Sequence, residues 1–555
     1  MTTYATTHGS VLPSYAIGET DVPLLDETIG QNLRRTVAAN PDREALVDVP
    51  SGRRWSYRDL LVDVDALASG LVQLGINAGD RIAVWAGNLP EWMMLQYATA
   101  EIGAILVTVN PAFRTRELGY VLAQSGARML VAGKELKGVA TGSMIAAVRA
   151  DCPTLELVTR IGDESWQALY DPTVDERPPV GRRAQLSPDD PINIQYTSGT
   201  TGHPKGATLS HRNILNNAYF VGQRCSYTER ERVCVPVPLF HTFGMVLGNL
   251  ATTAHGGCVV YPAEFFDAGA TLAAVDQERC TSLLGVPAMF LAELGRPDLE
   301  SFDLSSLRTG MMGGSPCPVE VMKQVMNRMG IADVTIVYGM TETSPVSTQT
   351  HVDDSLHQRV TTVGRVHPHV EVKIVDPRTG ATVSRATEGE LCTRGYSLML
   401  GYWREPDKTA EAVDDARWMH TGDLATMDLE GYVNITGRLK DMVIRGGENI
   451  SPREIEEFLH THPDIEDVQV VGVPDTRVGE ELMAWVRLRP GAPVLSPARL
   501  RRFATGRLAA FKVPRYVTAI EAFPMTASGK VRKVELRQMA MDLLGLEQVV
   551  SAEHA

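Results

Sequence analysis

A chain of 555 residues with 44% hydrophobic and 22% charged content suggests about three or four folding units of an ordinary globular kind. A formal net charge of −14 argues against a general nucleic-acid or anionic-membrane binder, yet leaves room for local cations around a phosphate ligand. The seven cysteines are scattered and form no Cys-x-x-Cys, so neither a zinc nor a disulfide framework is expected and a reducing, cytoplasmic home fits.

Residues 1–21 lack a basic segment followed by an apolar one and do not read as a signal peptide. No apolar run approaches the ~20 residues of a membrane span, and the ending Ser551-Ala-Glu-His-Ala555 is no peroxisomal address. Residues 1–22 read as a loosely ordered arm. Short strands over 40–48 and 55–58 lead into a helix over 58–74. Strands over 80–85 and 104–109 alternate with helices over 88–102 and 116–124, and 129–132 closes the series. Such alternation predicts a mostly parallel sheet with helices on both faces. A polar and glycine-rich stretch follows the strand 192–196, and Ser210 caps an amphipathic helix. The segment 235–240 precedes His241-Thr-Phe-Gly244. Residues 280–287 read as a buried strand and turn, and 309–316 as a glycine turn before a helix. The spacing of Val319, Met322, Val325, Met326 and Met329 makes that helix a core element. From 364 to 437 the pattern alternates between turns, which predicts antiparallel strands of a small barrel. A last α+β unit starts near 441. Its first helix opens at Ser451-Pro-Arg-Glu454, with a serine cap and proline at the first position.

The stretch Ile192-Asn-Ile-Gln-Tyr-Thr-Ser-Gly-Thr-Thr-Gly-His-Pro-Lys-Gly206 carries the chemistry. Glycines let a backbone turn several N–H groups toward one point, hydroxyls add donors and Lys205 adds a charge. That combination wraps a polyphosphate. It is not a Walker A loop, because Pro204 stands where the second glycine belongs and Gly206 follows Lys205. The stretch resembles the signature loop of the adenylate-forming enzymes: acyl-CoA synthetases, peptide-synthetase adenylation domains and firefly luciferase. The resemblance implies ATP contacts at Thr197, Ser198, Gly199, Thr200, Thr201, Gly202, His203, Pro204 and Lys205.

Further motifs occur in that family's order. Tyr338-Gly-Met-Thr-Glu-Thr-Ser344 follows a strand, where open α/β sheets bind ligands, and an acid beside hydroxyls there can hold a metal. The resemblance implies Tyr338 and Gly339 against adenine, Thr341 at the α-phosphate and Glu342 on Mg²⁺. Asp423 of Thr421-Gly-Asp423 and Arg438 of Gly437-Arg-Leu-Lys-Asp441 are implied at the ribose. Gly314, Ser315 and His241 are implied near adenine and an acyl pocket. Lys440 falls at a hinge position, Gly446 and Gly447 on the path of the CoA pantetheine, and Lys530 at the carboxylate and α-phosphate. Apolar residues at 286–290, Met311, Met312 and the small Gly339 suit an apolar tail.

The implied fold is α/β. It has a large N-terminal domain (1–438) of α/β subdomains with mostly parallel sheets plus a small β-barrel. A small mobile α+β C-terminal domain (439–555) completes it. The implied activity is ATP-dependent ligation of a fatty acid to CoA through acyl-AMP, closest to the medium-chain fatty-acyl-CoA synthetases. An aryl-CoA ligase or a ligase loading a carrier protein is the alternative. Expected partners are the carboxylic acid, ATP, Mg²⁺ and CoA, with no nucleic acid and a homodimer left open.

Overall fold

Apolar runs such as Ile105–Thr108, Met129–Ala132 and Cys258–Tyr261 are buried along their whole length, as strands covered on both faces must be. The computed structural model describes residues 12–169, 185–197, 204–446, 448–526 and 530–546, and places these runs in two large sheets. One has seven strands, in the order Gly401–Tyr402, Lys205–Ser210, Pro191–Thr197, Ile105–Thr108, Arg81–Trp85, Met129–Ala132 and Leu157–Arg160. The other has nine, and its six inner strands from Asp333–Gly339 through Thr309–Gly313, Ser282–Gly285, Arg232–Cys234 and Cys258–Tyr261 to Glu44–Asp48 all run parallel. Helices Tyr57–Gln73, Pro90–Ile102, Thr115–Ser125 and His211–Arg224 lie where the apolar periodicity puts them. Ser210 accepts from the Asn213 N–H in a capping box, as its position before the last of these helices requires.

Five antiparallel strands form an open half-barrel sheet: Tyr15–Ile17, Val370–Val375, Gly389–Gly395, Met419–Met427 and Val433–Arg438. A separate sheet, built from Val443–Arg445 onward, joins Glu448–Ile450, Gly479–Leu488, Ile465–Asp475 and Tyr516–Ala519. Ile455, Leu459 and Leu500 cover one core of that sheet, and Phe523, Leu536 and Met541 the other.

Four expectations are corrected. The arm is anchored from residue 12, because Tyr15–Ile17 pairs with Val370–Val375 and the Tyr15 hydroxyl donates to Glu371 at 2.5 Å; residues 1–11 lie outside the described ones. The series 80–132 does not close at 132, since Leu157–Arg160 adds a parallel strand beside Met129–Ala132. Thr309–Gly313 is an inner strand and not a turn. A Cβ on Gly310 would lie 2.6 Å from the Leu283 carbonyl oxygen, and one on Gly313 would lie 2.5 Å from the Val337 side chain. These glycines allow close strand approach. Ser451 makes no cap hydrogen bond to the helix Pro452–His460; its hydroxyl donates to the Thr436 carbonyl, and Glu454 accepts from Lys512 instead.

Candidate active site

The phosphate-loop stretch closes a hairpin between Pro191–Thr197 and Lys205–Ser210, with Thr197 opposite Lys205. Ser198, Gly199, Thr200, Thr201, Gly202 and His203 lie outside the described residues. Pro204 offers its carbonyl to the Tyr120 hydroxyl at 3.2 Å. The Lys205 ammonium lies 4.9 Å from the centre of the Tyr402 ring, a cation–π contact. The Tyr402 hydroxyl in turn donates to Glu342 at 2.8 Å. Glu342 sits in the buried turn Thr341–Thr343 just past the strand Asp333–Gly339, and its carbonyl accepts from the Met399 N–H. Thus Tyr402 links Lys205, at the end of the loop, to the carboxylate expected to hold a metal. Tyr402 carries no family motif in the sequence reading, and the structure alone reveals it.

A second group assembles around Tyr338, three residues before that turn. The Tyr338 hydroxyl donates to Asp423 Oδ2 at 2.8 Å, and Arg438 Nε donates to Asp423 Oδ1 at 2.7 Å. Asp423 and Arg438 face each other across Met419–Met427 and Val433–Arg438. Burial and the neighbouring Asp423 charge hold the Tyr338 phenol well above its ordinary range, so it stays a donor. Asp423 is 7% exposed, so this carboxylate is held in place by two donors before any ligand arrives.

Lys530 reaches this site from the C-terminal unit. Its Cε would be 3.8 Å from a Cβ built on Gly314. Burial first, then the Arg438 charge, lowers its ammonium pKa, while Asp423 and Glu342 oppose that shift. The Thr526 hydroxyl accepts the Lys530 N–H at 2.9 Å, and the Thr526 N–H donates to the Lys530 carbonyl. Gly314 has φ +83, a left-handed conformation that favours glycine. Ser315 follows it at the end of Thr309–Gly313. His241, partly buried, lies near Lys530. Burial, with the Lys530 charge second, pushes its imidazole down to about 3. Its Nδ1 accepts the Phe243 N–H at 3.2 Å, so Nε2 carries the proton. Directly after it, Phe243–Leu250 is a π-helix, a form concentrated at functional sites. Gly244 and Gly248 let it pack on the preceding segment: added Cβ atoms would lie 2.3 Å from the Pro238 carbonyl and 2.7 Å from Val235. Apolar periodicity does not separate a π-helix from an α-helix, so the sequence held no signal for it.

The positions expected beside an acyl tail divide. Val286, Met289 and Met311 share a cluster with Phe243 and Met245, next to His241. Phe290 and Met312 instead pack with Leu283, Val334 and Ile336 in another core: Met311 and Met312 are successive strand residues and point to opposite faces, and Met289 and Phe290 lie on different sides of the helix Pro287–Leu294. Gly339 has a packing reason of its own, since a Cβ would lie 1.8 Å from the Pro345 carbonyl oxygen. Gly446 turns the chain at φ +62, with no described atom within 4 Å of a Cβ there; Gly447 lies outside the described residues.

Residues 33–403 match the AMP-binding enzyme family, and residues 454–530 its C-terminal domain. The Bacillus subtilis (strain 168) protein YngI, an acyl-CoA synthetase by name, is 46% identical over 544 residues, covering 94% of this chain and 99% of its own. The mitochondrial medium-chain acyl-CoA ligase ACSF2 of Danio rerio is 42% identical over 558 residues, covering 96% and 91%. Among solved structures, the anthranilate CoA ligase AuaEII in complex with anthranoyl-AMP superposes with a TM-score of 0.84 at 26% identity, covering 95% of this chain and 99% of that one. With a family match over most of its length and near full-length relatives above 40% identity, the chain belongs to the AMP-binding, adenylate-forming enzymes.

Proposed function

We propose that this protein is a fatty-acid–CoA ligase that activates a medium-chain acid as acyl-AMP and passes the acyl group to CoA, releasing AMP and pyrophosphate. A carboxylate cannot expel oxide, so its attack on the α-phosphorus of ATP creates a mixed anhydride and displaces pyrophosphate. The CoA thiol then attacks the acyl carbon and AMP leaves. The protein's part is positioning and charge neutralisation. The observation that carries the reading is the meeting of Lys530, from the C-terminal unit, with Arg438, Asp423 and Glu342, which precede that unit. Asp423, held by Tyr338 and Arg438, takes the ribose hydroxyls. Lys205 and the loop 197–205 take the phosphates, with Gly314 and Ser315 beside the adenine. Lys530 offsets the charge that gathers between carboxylate and α-phosphate.

The residues suit Mg²⁺. Glu342 spends Oε1 on Tyr402, sits beside the Thr341 hydroxyl in one buried turn, and so offers the hard oxygen donors that ion prefers. When bound, the ion neutralises phosphate charge. The C-terminal unit, from 439 on, turns about Lys440 between the half-reactions, and Gly446 and Gly447 then flank the pantetheine. Seven free, buried thiols suit a reducing, cytoplasmic location. Among the described residues, no helix is long and apolar enough to cross a membrane.

The test is pyrophosphate release across straight-chain and aromatic acids, with and without CoA. Acids of about six to twelve carbons should react best, as a pocket of a few hundred Å³ fits such tails. A preference for benzoates, the substrate class of an aryl-CoA ligase, would overturn the medium-chain assignment. Acyl-AMP that accumulates and never reaches CoA would redirect it to a carrier-protein acceptor.

A further inference from the structure

On the half-barrel sheet, three side chains of mixed chemistry meet outside every role described above. Cys392, on Gly389–Gly395, lies directly opposite His420 on Met419–Met427. Glu390, two residues before Cys392, points to the same face. The pairing is irregular here, with Glu390 opposite Leu424 and Cys392 opposite His420, so the extra residues 421–423 belong to the partner strand. His420 Nδ1 is 2.9 Å from Glu390 Oε2 and 3.5 Å from Cys392 Sγ. The three donor atoms all lie within 4.8 Å of one another.

We propose that Glu390, Cys392 and His420 form a binding site for a soft divalent cation, Zn²⁺ or a close analogue, distinct from the Mg²⁺ position at Glu342. Tetrahedral zinc has bonds of about 2.3 Å to sulfur and about 2.0–2.2 Å to nitrogen and oxygen, which sets its ligands about 3.3–3.6 Å apart. The sulfur–nitrogen separation already matches, and the nitrogen–oxygen pair needs to open by about half an ångström. One thiolate and one imidazole select zinc or cobalt over magnesium or calcium. Three protein ligands leave the fourth position for water or another small donor. Glu390 keeps its second oxygen on the Gly422 N–H at 3.1 Å, an outer contact that orients the carboxylate. Cys392 is fully buried, and the His420 side chain, 37% exposed, opens the way in from solvent.

Burial pushes the Cys392 thiol up to about 12, opposed by the Lys373 ammonium on the adjoining strand. The resting sulfur is therefore protonated. Binding replaces the S–H bond by an S–metal bond and sends that proton to the buffer, and the proton that His420 Nδ1 holds toward Glu390 passes to Nε2, freeing the Nδ1 lone pair. Cys392 and His420 are 28 residues apart in the chain, so no short spacing announces the site.

The test is titration of the full-length protein with Co²⁺ in millimolar Mg²⁺, followed by absorbance. A thiolate-to-cobalt band in the near ultraviolet that saturates at one equivalent, and that Zn²⁺ removes, is expected. Cys392→Ser should abolish the band. His420→Ala, a change at a half-exposed side chain, should weaken Co²⁺ binding by more than the ~10–100-fold typical of losing an outer partner. Cys152→Ser, at a thiol remote from this sheet, should leave the titration unchanged. Absence of the band in the native protein, its survival in Cys392→Ser, or unaltered affinity in His420→Ala would overturn the site.

Discussion

Lys530 sits among Arg438, Asp423, Glu342 and His241, and the proposed chemistry gathers negative charge there. Losing one preorganised charge at such a point costs about 10²–10³ in rate. Lys530→Ala should therefore lose acyl-AMP formation by that factor, measured as acid-dependent pyrophosphate release. It should still turn supplied acyl-AMP and CoA into thioester. Equal loss of both steps would assign Lys530 a structural part. Tyr402 is the residue that the sequence reading passed over. Its hydroxyl holds Glu342 and its ring faces Lys205. Hydrogen bonds to charged groups contribute about 1.5–3 kcal/mol, so Tyr402→Phe should raise the Mg²⁺ concentration for half-maximal rate by about tenfold or more. An unchanged Mg²⁺ dependence would show that the bond is incidental. Glu342, Asp423, Arg438 and Lys530, which the structure brings together, could be singled out in the sequence because each lies in a contiguous motif. Tyr402 could not, because its role arises from strand Gly401–Tyr402 docking beside Lys205–Ser210, a contact between distant stretches.

At the scale of elements, the helix His211–Arg224 shows how a buried histidine ties pH to stability. His211 Nδ1 accepts the Ile29 N–H at 3.2 Å at the start of Ile29–Ala39, and burial pushes its imidazole down to about 3. In the unfolded chain it titrates near 6.5. Between those values the unfolded state holds the extra proton, so stability falls as pH falls through this window, by about 1.4 kcal/mol per pH unit for each such histidine. His241 adds the same sign. His211→Asn should be less stable at pH 7 yet show a shallower decline from pH 6.5 to 5, read by urea unfolding. Parallel declines would contradict the assignment. Periodicity located the helices Tyr57–Gln73, Pro90–Ile102 and Thr115–Ser125 to within two residues, since buried faces repeat every turn, and passed over Ile29–Ala39. It failed where glycine served close packing: Thr309–Gly313 looked like a turn because Gly310, Gly313 and Gly314 lie together, while the inner-strand approach that requires the first two is a tertiary fact.

For the whole molecule, the account requires one site served in turn by two faces of the C-terminal unit. The sequence made the order of motifs plain, and the C-terminal unit carries both Gly446, just past Val443–Arg445, and Lys530, in the segment between Tyr516–Ala519 and the helix Lys533–Leu544. In the conformation described, Lys530 is the face turned inward, which suits adenylation. Gly447→Leu should form acyl-AMP at the native rate and fail to thioesterify it, because a side chain there obstructs the thiol's approach. Rapid-quench assays of each half-reaction would read this, and impaired adenylation in Gly447→Leu would contradict the rotation. The most direct measurement follows oxygen. With the acid labelled by ¹⁸O in its carboxylate, and ATP, Mg²⁺ and CoA supplied, mass spectrometry of the products should find one labelled oxygen in AMP and none in pyrophosphate. Label in orthophosphate, with ADP as the nucleotide product, would contradict adenylation outright.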